Sequence, residues 1–174
     1  MKTRNGFVSN SSSSSFVVIS HGGATDKSFG KYLAYNFACE ENNWSERTLT
    51  VPYSLAHLPS GHFGWDTVQY TSFEDRLAFA CLQACYHDGV TEETGEPIVG
   101  EWHKMIGEVL MIRIPNLMDV QFRISTREGH NISDGYIDHQ SAYPNNCEMF
   151  ATADHLRAFL FNDGSYVQGG NDNG

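Results

Sequence analysis

The densest group of side chains able to do chemistry lies between residues 130 and 155. Imidazole nitrogens and carboxylate oxygens bind divalent metals or transfer protons. The group comprises His130, Asp134, Asp138, His139 and His155. Their spacing matches no established metal motif, and Asp or Asn beside Gly is also what turns require. Two interpretations stay open: a small metal-assisted hydrolase or nucleotide-processing enzyme, and a polar loop with a structural role.

A second group of candidate ligands lies on one face of a predicted helix. Cys81 and Cys85 are four residues apart and His87 follows them, and thiolates with an imidazole favour zinc. Cys39 or Cys147 would supply a fourth ligand. The same two cysteines continue an apolar stripe, in which a free cysteine behaves as a small core hydrophobe. Core packing is therefore the favoured interpretation, and the sequence predicts no cofactor.

Common catalytic signatures are missing from the sequence. It contains no Gly-x-Ser-x-Gly elbow and no paired helical histidine motif. The turn His21-Gly22-Gly23 lacks the Lys and the further glycines of a phosphate-binding loop. The sequence therefore leans towards a protein that is not an enzyme.

The elements that must position these groups belong to one compact domain. The 174 residues are 40% hydrophobic, enough for one core and short of two. The predicted strands cover residues 16–19, 49–53, 108–114 and 120–124, with a last one near Tyr166, and the predicted helices cover residues 26–41, 71–88 and 153–161. The second helix opens on a capping box of Thr71 and Glu74, and residues 108–124 read as a hairpin. The expected fold is α+β, a mostly antiparallel sheet with about three helices, in a single domain over residues 1–174.

Charge and cysteine content exclude several classes of protein. The 21 Asp and Glu residues against 11 Lys and Arg give a formal charge of −10, which repels nucleic acid. Four cysteines in a chain this long are not typical of a secreted disulfide scaffold, so cytosolic synthesis is expected. The sequence shows no signal-peptide core and no apolar run near the roughly 18 residues of a membrane span, so no membrane is expected.

The N-terminal segment is unusual because a serine run separates two apolar pairs. Phe7 and Val8 precede the run and Phe16 follows it. The segment is either an intramolecular loop or edge strand held at both ends, or an arm, residues 1–15, that docks on a partner by strand addition. Lys2 and Arg4 bring positive charge to an otherwise acidic chain. The predicted binding residues are Phe7, Val8, Asn10, Phe16 and, in the long polar loop of residues 127–146, Tyr136.

The same segment resembles the opening of many uncharacterised bacteriophage and bacterial proteins. These begin with Met-Lys and a basic residue, followed by Phe-Val, Asn and a serine run that ends in Phe. The similarity covers roughly the first 20 residues, and residues 136–141 and 159–173 are similar to other segments of such proteins. The resemblance implies a viral or prophage setting and carries no catalytic residues.

The resulting prediction is a non-enzymatic phage-type interaction protein. It would be an accessory virion component or a host-factor binder that docks through the arm and the 127–146 loop. Its partner would be a viral or host protein, with a homo-oligomer or larger assembly as a further form. Its expected location is the host cytoplasm, with assembly into a virion.

Overall fold

A computed structural model describes residues 2–5, 16–37, 47–53, 69–94, 96–124 and 147–168. The helices in these ranges are α1 (Lys27–Phe37), α2 (Phe73–Asp88), α3 (Glu101–Arg113) and α4 (Ala153–Phe161). The strands are β1 (Lys2–Asn5), β2 (Phe16–Ser20), β3 (Arg47–Tyr53), β4 (Gln69–Tyr70), β5 (Leu117–Ile124) and β6 (Tyr166–Gln168). The fold is α+β, as the sequence predicts. No helix in the described ranges is long and apolar enough to cross a membrane.

The larger sheet has the strand order β1-β2-β6-β4 and is antiparallel throughout. Its centre is apolar, because Val17 pairs with Val167, and Val167 also pairs with Tyr70. The β-branched run of β2 and the short β6 were both predicted as strands, and both are confirmed. The sheet therefore joins segments from distant parts of the chain.

Helix α2 starts one residue later than its sequence motif suggests. The predicted cap of Thr71 and Glu74 is wrong, since Ser72 caps the helix: its Oγ accepts from the Asp75 N–H at 3.1 Å, and Asp75 Oδ2 accepts from the Ser72 N–H at 3.3 Å. Both pairs have capping-box chemistry. Phe73 is therefore the first residue of the helix; its ring is fully buried, and its N–H donates to Ser28 Oγ of α1 at 2.6 Å. These contacts come from distant parts of the chain, so the local sequence does not distinguish the two capping signals.

The predicted strand at residues 108–114 is wrong, because these residues lie in helix α3 or end it. Trp102, Ile106, Val109 and Leu110 are buried and recur at helical spacing, so they form one face against the core. An apolar run of this length is compatible with either structure until its flanking residues are included. The described residues thus contain four α-helices, whereas the sequence predicts about three.

The predicted hairpin of residues 108–124 is wrong for the same reason. Strand β5 instead pairs in parallel with β3, with Leu49 opposite Val120 and Val51 opposite Phe122. The strand predictions at 49–53 and 120–124 are confirmed, although their pairing was not foreseen. Between α3 and β5 the chain turns at Asn116, which has a φ of 61°, a conformation that Asn tolerates better than most residues.

Helices α1 and α4 each begin directly after a residue whose side chain caps the first turn. Asp26 Oδ1 accepts from the Ser28 N–H at 2.7 Å, and Thr152 Oγ1 accepts from the His155 N–H at 3.1 Å. Helix α4 matches its predicted range, whereas α1 ends at Phe37. The remaining residues of the predicted first helix, 38–41, lie outside the described part of the chain.

A buried arginine connects these elements inside the core. Arg76 on α2 is 0% exposed, and its five N–H groups make five hydrogen bonds. The acceptors are the carbonyls of Thr71, Leu160 and Ser165 and the carboxylate of Asp26, which lies 2.5 Å from Nη2. This network ties α2 to the start of α1, to α4 and to the residue before β6.

Candidate functional site

Most members of the predicted His/Asp cluster lie outside the described part of the chain. These are His130, Asp134, Asp138 and His139, together with Tyr136. His155 lies in the first turn of α4, where its Nδ1 is 3.1 Å from Thr152 Oγ1 and its ring is 5.0 Å from that of His21. Among the described residues, no three His, Cys, Asp or Glu side chains are placed to hold one metal ion. The metal-assisted enzyme therefore stays a prediction.

The start of the predicted arm is a strand of the protein's own sheet. Lys2–Asn5 pairs with β2 in antiparallel fashion, from Lys2 opposite Ser20 to Asn5 opposite Val17. The backbone of Phe16 opens β2 opposite Gln168. Phe7, Val8 and Asn10 lie outside the described residues. The arm is thus anchored intramolecularly at residues 2–5.

The two candidate zinc ligands Cys81 and Cys85 are core residues, 0% and 4% exposed. The His87 side chain lies elsewhere: its Nδ1 is 2.8 Å from Asp88 Oδ1, and its ring stacks on Trp102 at 4.0 Å. In this arrangement Cys85 is 3.8 Å from a different imidazole, that of His103. The burial agrees with core packing, and the neighbouring histidine adds a feature that core packing alone does not predict.

Asp88, His103 and Cys85 form a chain of hydrogen bonds that we call the thiol relay. Asp88 Oδ2 lies 2.8 Å from His103 Nδ1, and His103 Nε2 lies 3.8 Å from Cys85 Sγ. A carboxylate only accepts, so Nδ1 of the imidazole carries the proton and donates it. The neutral ring then has an unprotonated Nε2, which accepts from the Cys85 thiol. This is the order of nucleophile, base and orienting carboxylate found in activated thiols.

The ends of two helices build the thiol relay. Asp88 is the last residue of α2, and its carboxylate also accepts from the backbone N–H groups of Trp102 at 3.3 Å and His103 at 2.9 Å. These are free amides in the first turn of α3, where a negative charge is favourable. At Gly100 a Cβ would lie 2.6 Å from the Asp88 Cγ atom. A glycine is therefore needed for the carboxylate to approach α3.

The thiol relay is enclosed by aromatic rings. Phe122 meets the His103 ring edge-on at 5.0 Å, and Trp102 stacks between His87 and Phe150, 4.0 and 4.2 Å away. His103 is 0% exposed, and the Asp88 side chain is 2% exposed. Among the described residues, the imidazole and the carboxylate of the relay are thus shielded from water.

Burial sets the protonation states of the relay. It lowers the pKa of His103, and the adjacent Asp88 carboxylate only partly opposes that shift. Burial alone would raise the pKa of Asp88, but hydrogen bonds from the His103 backbone, the His87 and His103 side chains and the Trp102 backbone lower it. At neutral pH the relay therefore holds a carboxylate and a neutral imidazole.

The sequence interpretation missed Asp88 and His103 as partners of Cys85. The sequence pattern identifies Asp88 only as the end of a helix, and His103 lies between predicted elements. The two pairs of the relay are 15 and 18 residues apart in sequence, across a connection whose path the sequence does not specify. The available signal for the relay is the Asp-Gly pair at the end of a helix that carries cysteines. This signal is not specific, because Asp-Gly is also common in turns.

A second polar feature is a cleft of about 330 Å³ between the turn after β2, α4 and the end of α3. Its two guanidinium groups have partners: Arg113 donates to Thr25 Oγ1 at 2.7 Å, and Arg157 pairs with Asp154 at 2.5 Å. The Arg113 guanidinium also lies over the Phe161 ring at 5.7 Å. Because both cations are engaged, the cleft is a weaker candidate than the relay.

Comparison of the chain with protein-family models, curated proteins and solved structures finds no match. Its function must therefore be inferred from its own residues and their geometry.

Proposed function

We propose that this protein is a non-enzymatic interaction module that docks a protein partner by strand addition at β1. The observation that supports the proposal is the position of β1 at the end of the four-strand order, where, among the described residues, it pairs with β2 alone. An edge strand presents one row of backbone N–H and C=O groups to another chain. An extended partner segment would continue the sheet through those groups.

The distribution of charge indicates the chemistry of the partner. Lys2 and Arg4 lie in β1, whereas all 21 Asp and Glu residues follow residue 25. An acidic extended segment would be attracted to the N-terminal end of the chain and repelled by the rest. A second copy of the chain would bring Lys2 and Arg4 close to their own counterparts, and like charges across a strand pair are unfavourable. The charge pattern thus favours a different protein over a homo-oligomer.

The resemblance of the N-terminal opening supports a phage or prophage setting for this docking. In that setting the partner is either another virion component or a host factor. Residues of the adjoining segment and of the 127–146 loop would add side-chain specificity to the backbone pairing, namely Phe7, Val8, Asn10, Phe16 and Tyr136. Particle sedimentation separates the two cases, because a virion component sediments with assembled particles and a host-factor binder does not.

The first step of the test identifies the partner by co-purification with the intact protein. The second measures binding of the purified partner to a Lys2→Glu/Arg4→Glu double variant. The matched control is Lys27→Glu/Lys31→Glu, an equal charge change at two exposed positions of α1. We expect the β1 variant to bind about tenfold more weakly or worse, and the control to stay within about twofold. Equal affinity of the two variants would contradict docking at β1.

Hydrogen exchange tests the backbone pairing directly. Strand addition should slow exchange of the amides of residues 2–5 when the purified partner is bound, because their outward N–H groups gain acceptors. A variant lacking residues 1–15 should lose the partner. Unchanged exchange at residues 2–5 in the complex would show that the partner binds elsewhere.

A further inference from the structure

The thiol relay contains more polar side chains than the junction of α2 and α3 requires. The Asp88 carboxylate already accepts from the amides of Trp102 and His103, so an apolar side chain at position 103 would keep the same cap. Burying an imidazole ring costs desolvation free energy that such a side chain would avoid. The ring is nevertheless fully buried and connects the carboxylate to a thiol.

We propose that Cys85 is a redox-active thiol, activated by His103 and oriented by Asp88, that reacts with a small hydroperoxide such as hydrogen peroxide. This activity is independent of docking at β1. Its product is a sulfenic acid at Cys85.

The reaction balances within the relay. The Cys85 thiol proton passes to His103 Nε2, and the imidazolium is stabilised by the Asp88 carboxylate at Nδ1. The thiolate sulfur attacks one peroxide oxygen, so an S–O bond forms as the O–O bond breaks. The departing oxygen takes the proton from Nε2 and leaves as water or an alcohol. Sulfur loses two electrons, the peroxide gains them, and the imidazole returns to its neutral form.

Enclosure of the site selects the size of the oxidant. Cys85 is 4% exposed and His103 is 0% exposed, so an ester, a peptide or another bulky acyl donor has no room to approach the sulfur. Hydrogen peroxide is close to water in size and reaches buried groups through small fluctuations of the packing. The aromatic surround would also keep larger thiols from the sulfenic acid, which prolongs its lifetime.

The alternative is that Cys85 only fills space, and buried structural cysteines are inert. The two interpretations predict opposite effects of one substitution on the rate of Cys85 oxidation. His103→Asn keeps an N–H donor for Asp88 near the position of Nδ1 but removes Nε2. If the relay activates the thiol, this change slows oxidation of Cys85. If Cys85 is only filler, the change loosens the packing and speeds oxidation.

The experiment treats the folded protein with hydrogen peroxide and traps sulfenic acid with a carbon-acid reagent. Mass spectrometry then gives separate rates for Cys85 and for Cys81, which lies one turn away on the same helix and is also buried. We expect Cys85 to be oxidised at least about tenfold faster than Cys81, and His103→Asn to slow Cys85 by about tenfold or more.

Two results would overturn the proposal. One is that, in the unmodified protein, Cys85 is oxidised no faster than Cys81. This comparison needs no variant, so it remains valid even if His103→Asn fails to fold. The other is an unchanged or higher Cys85 rate in a His103→Asn protein whose urea unfolding is cooperative. Reversal of the modification by a dithiol, before trapping, distinguishes sulfenic acid from irreversible oxidation.

Discussion

The Arg76 network and the thiol relay are two buried polar systems built around a carboxylate that caps a helix. Asp26 caps α1 and pairs with Arg76, whereas Asp88 caps α3 and pairs with His103. In the Arg76 network, every N–H of the guanidinium donates to a carbonyl or to the Asp26 carboxylate. In the second, the carboxylate acts through a neutral ring on a thiol, a weak donor. The same capping design therefore serves cohesion in one place and supports chemistry in the other.

The electrostatics of the two systems differ in the same way. Burial alone would raise the pKa of Asp26, but hydrogen bonds from Ser28 and Arg76 lower it, so an ion pair persists in the core. Burial also lowers the pKa of Arg76, although Asp26 opposes that shift. In the relay the corresponding shift leaves His103 neutral. An always-charged partner provides stability, and a titratable one can accept a proton.

The largest expected effect is on the Arg76 side of the comparison. Arg76→Met leaves Asp26 and three carbonyls without their donors and should lower the free energy of unfolding by about 3–5 kcal/mol. Urea denaturation measures it. The control is Arg157→Met. Arg157 pairs with Asp154, whose side chain is 83% exposed, so the loss of this pair should lower the free energy of unfolding by less than about 1 kcal/mol. Similar losses for the two variants would remove the distinction between buried network and surface pair.

An intermediate effect is expected where the relay joins α2 to α3. Gly100→Ala places a Cβ against the Asp88 carboxylate and should destabilise the protein by about 1–3 kcal/mol. Gly30→Ala is the matched control, since a Cβ there meets nothing within 4 Å on an exposed face of α1, and should stabilise by about 0.5–1 kcal/mol. Thermal unfolding of both variants gives the comparison. If Gly100→Ala left the stability unchanged, the close approach of the carboxylate to α3 would not be required.

The smallest effect is a dependence of stability on pH. The folded-state pKa of His103 lies below its ordinary value of 6.5, so the unfolded chain binds more protons and stability falls as the pH drops below about 6.5. The Asp26 and Asp88 carboxylates, whose pKa values lie below 3.8, add a further loss only at pH values below about 3.8.

Urea denaturation between pH 8 and 5 checks the first part of this dependence. His103→Asn should flatten the curve between pH 6.5 and 5, because the titrating ring is gone. An unchanged slope in that variant would assign the dependence to another group.

Elements with strong local signals were predictable from the sequence. The β-branched run of β2, the range of α4 and the buried stripe of α2 all follow from short-range patterns. Helix α3 was missed because Glu108 to Ile114 alone has the composition of a strand, and Trp102 and Ile106 establish the helical period only when they are included. The parallel pairing of β3 with β5 and the relay depend on distant residues, so no local pattern specifies them. The Arg76 network could not be predicted either, because the sequence around Arg76 does not distinguish it from an exposed arginine on a helix.

The pairing of β2 with β6 has a consequence for synthesis on the ribosome. The Ser20 N–H donates to Ser165 Oγ across 145 positions of the chain, and Val17 faces Val167 in the register. The first 20 residues leave the exit tunnel long before their central partner strand is translated. The sheet is therefore completed late, after nearly all of the described chain has emerged. Until then the edge of β2 that later pairs with β6 is unpaired and apolar, and such edges make an incompletely folded chain prone to aggregate.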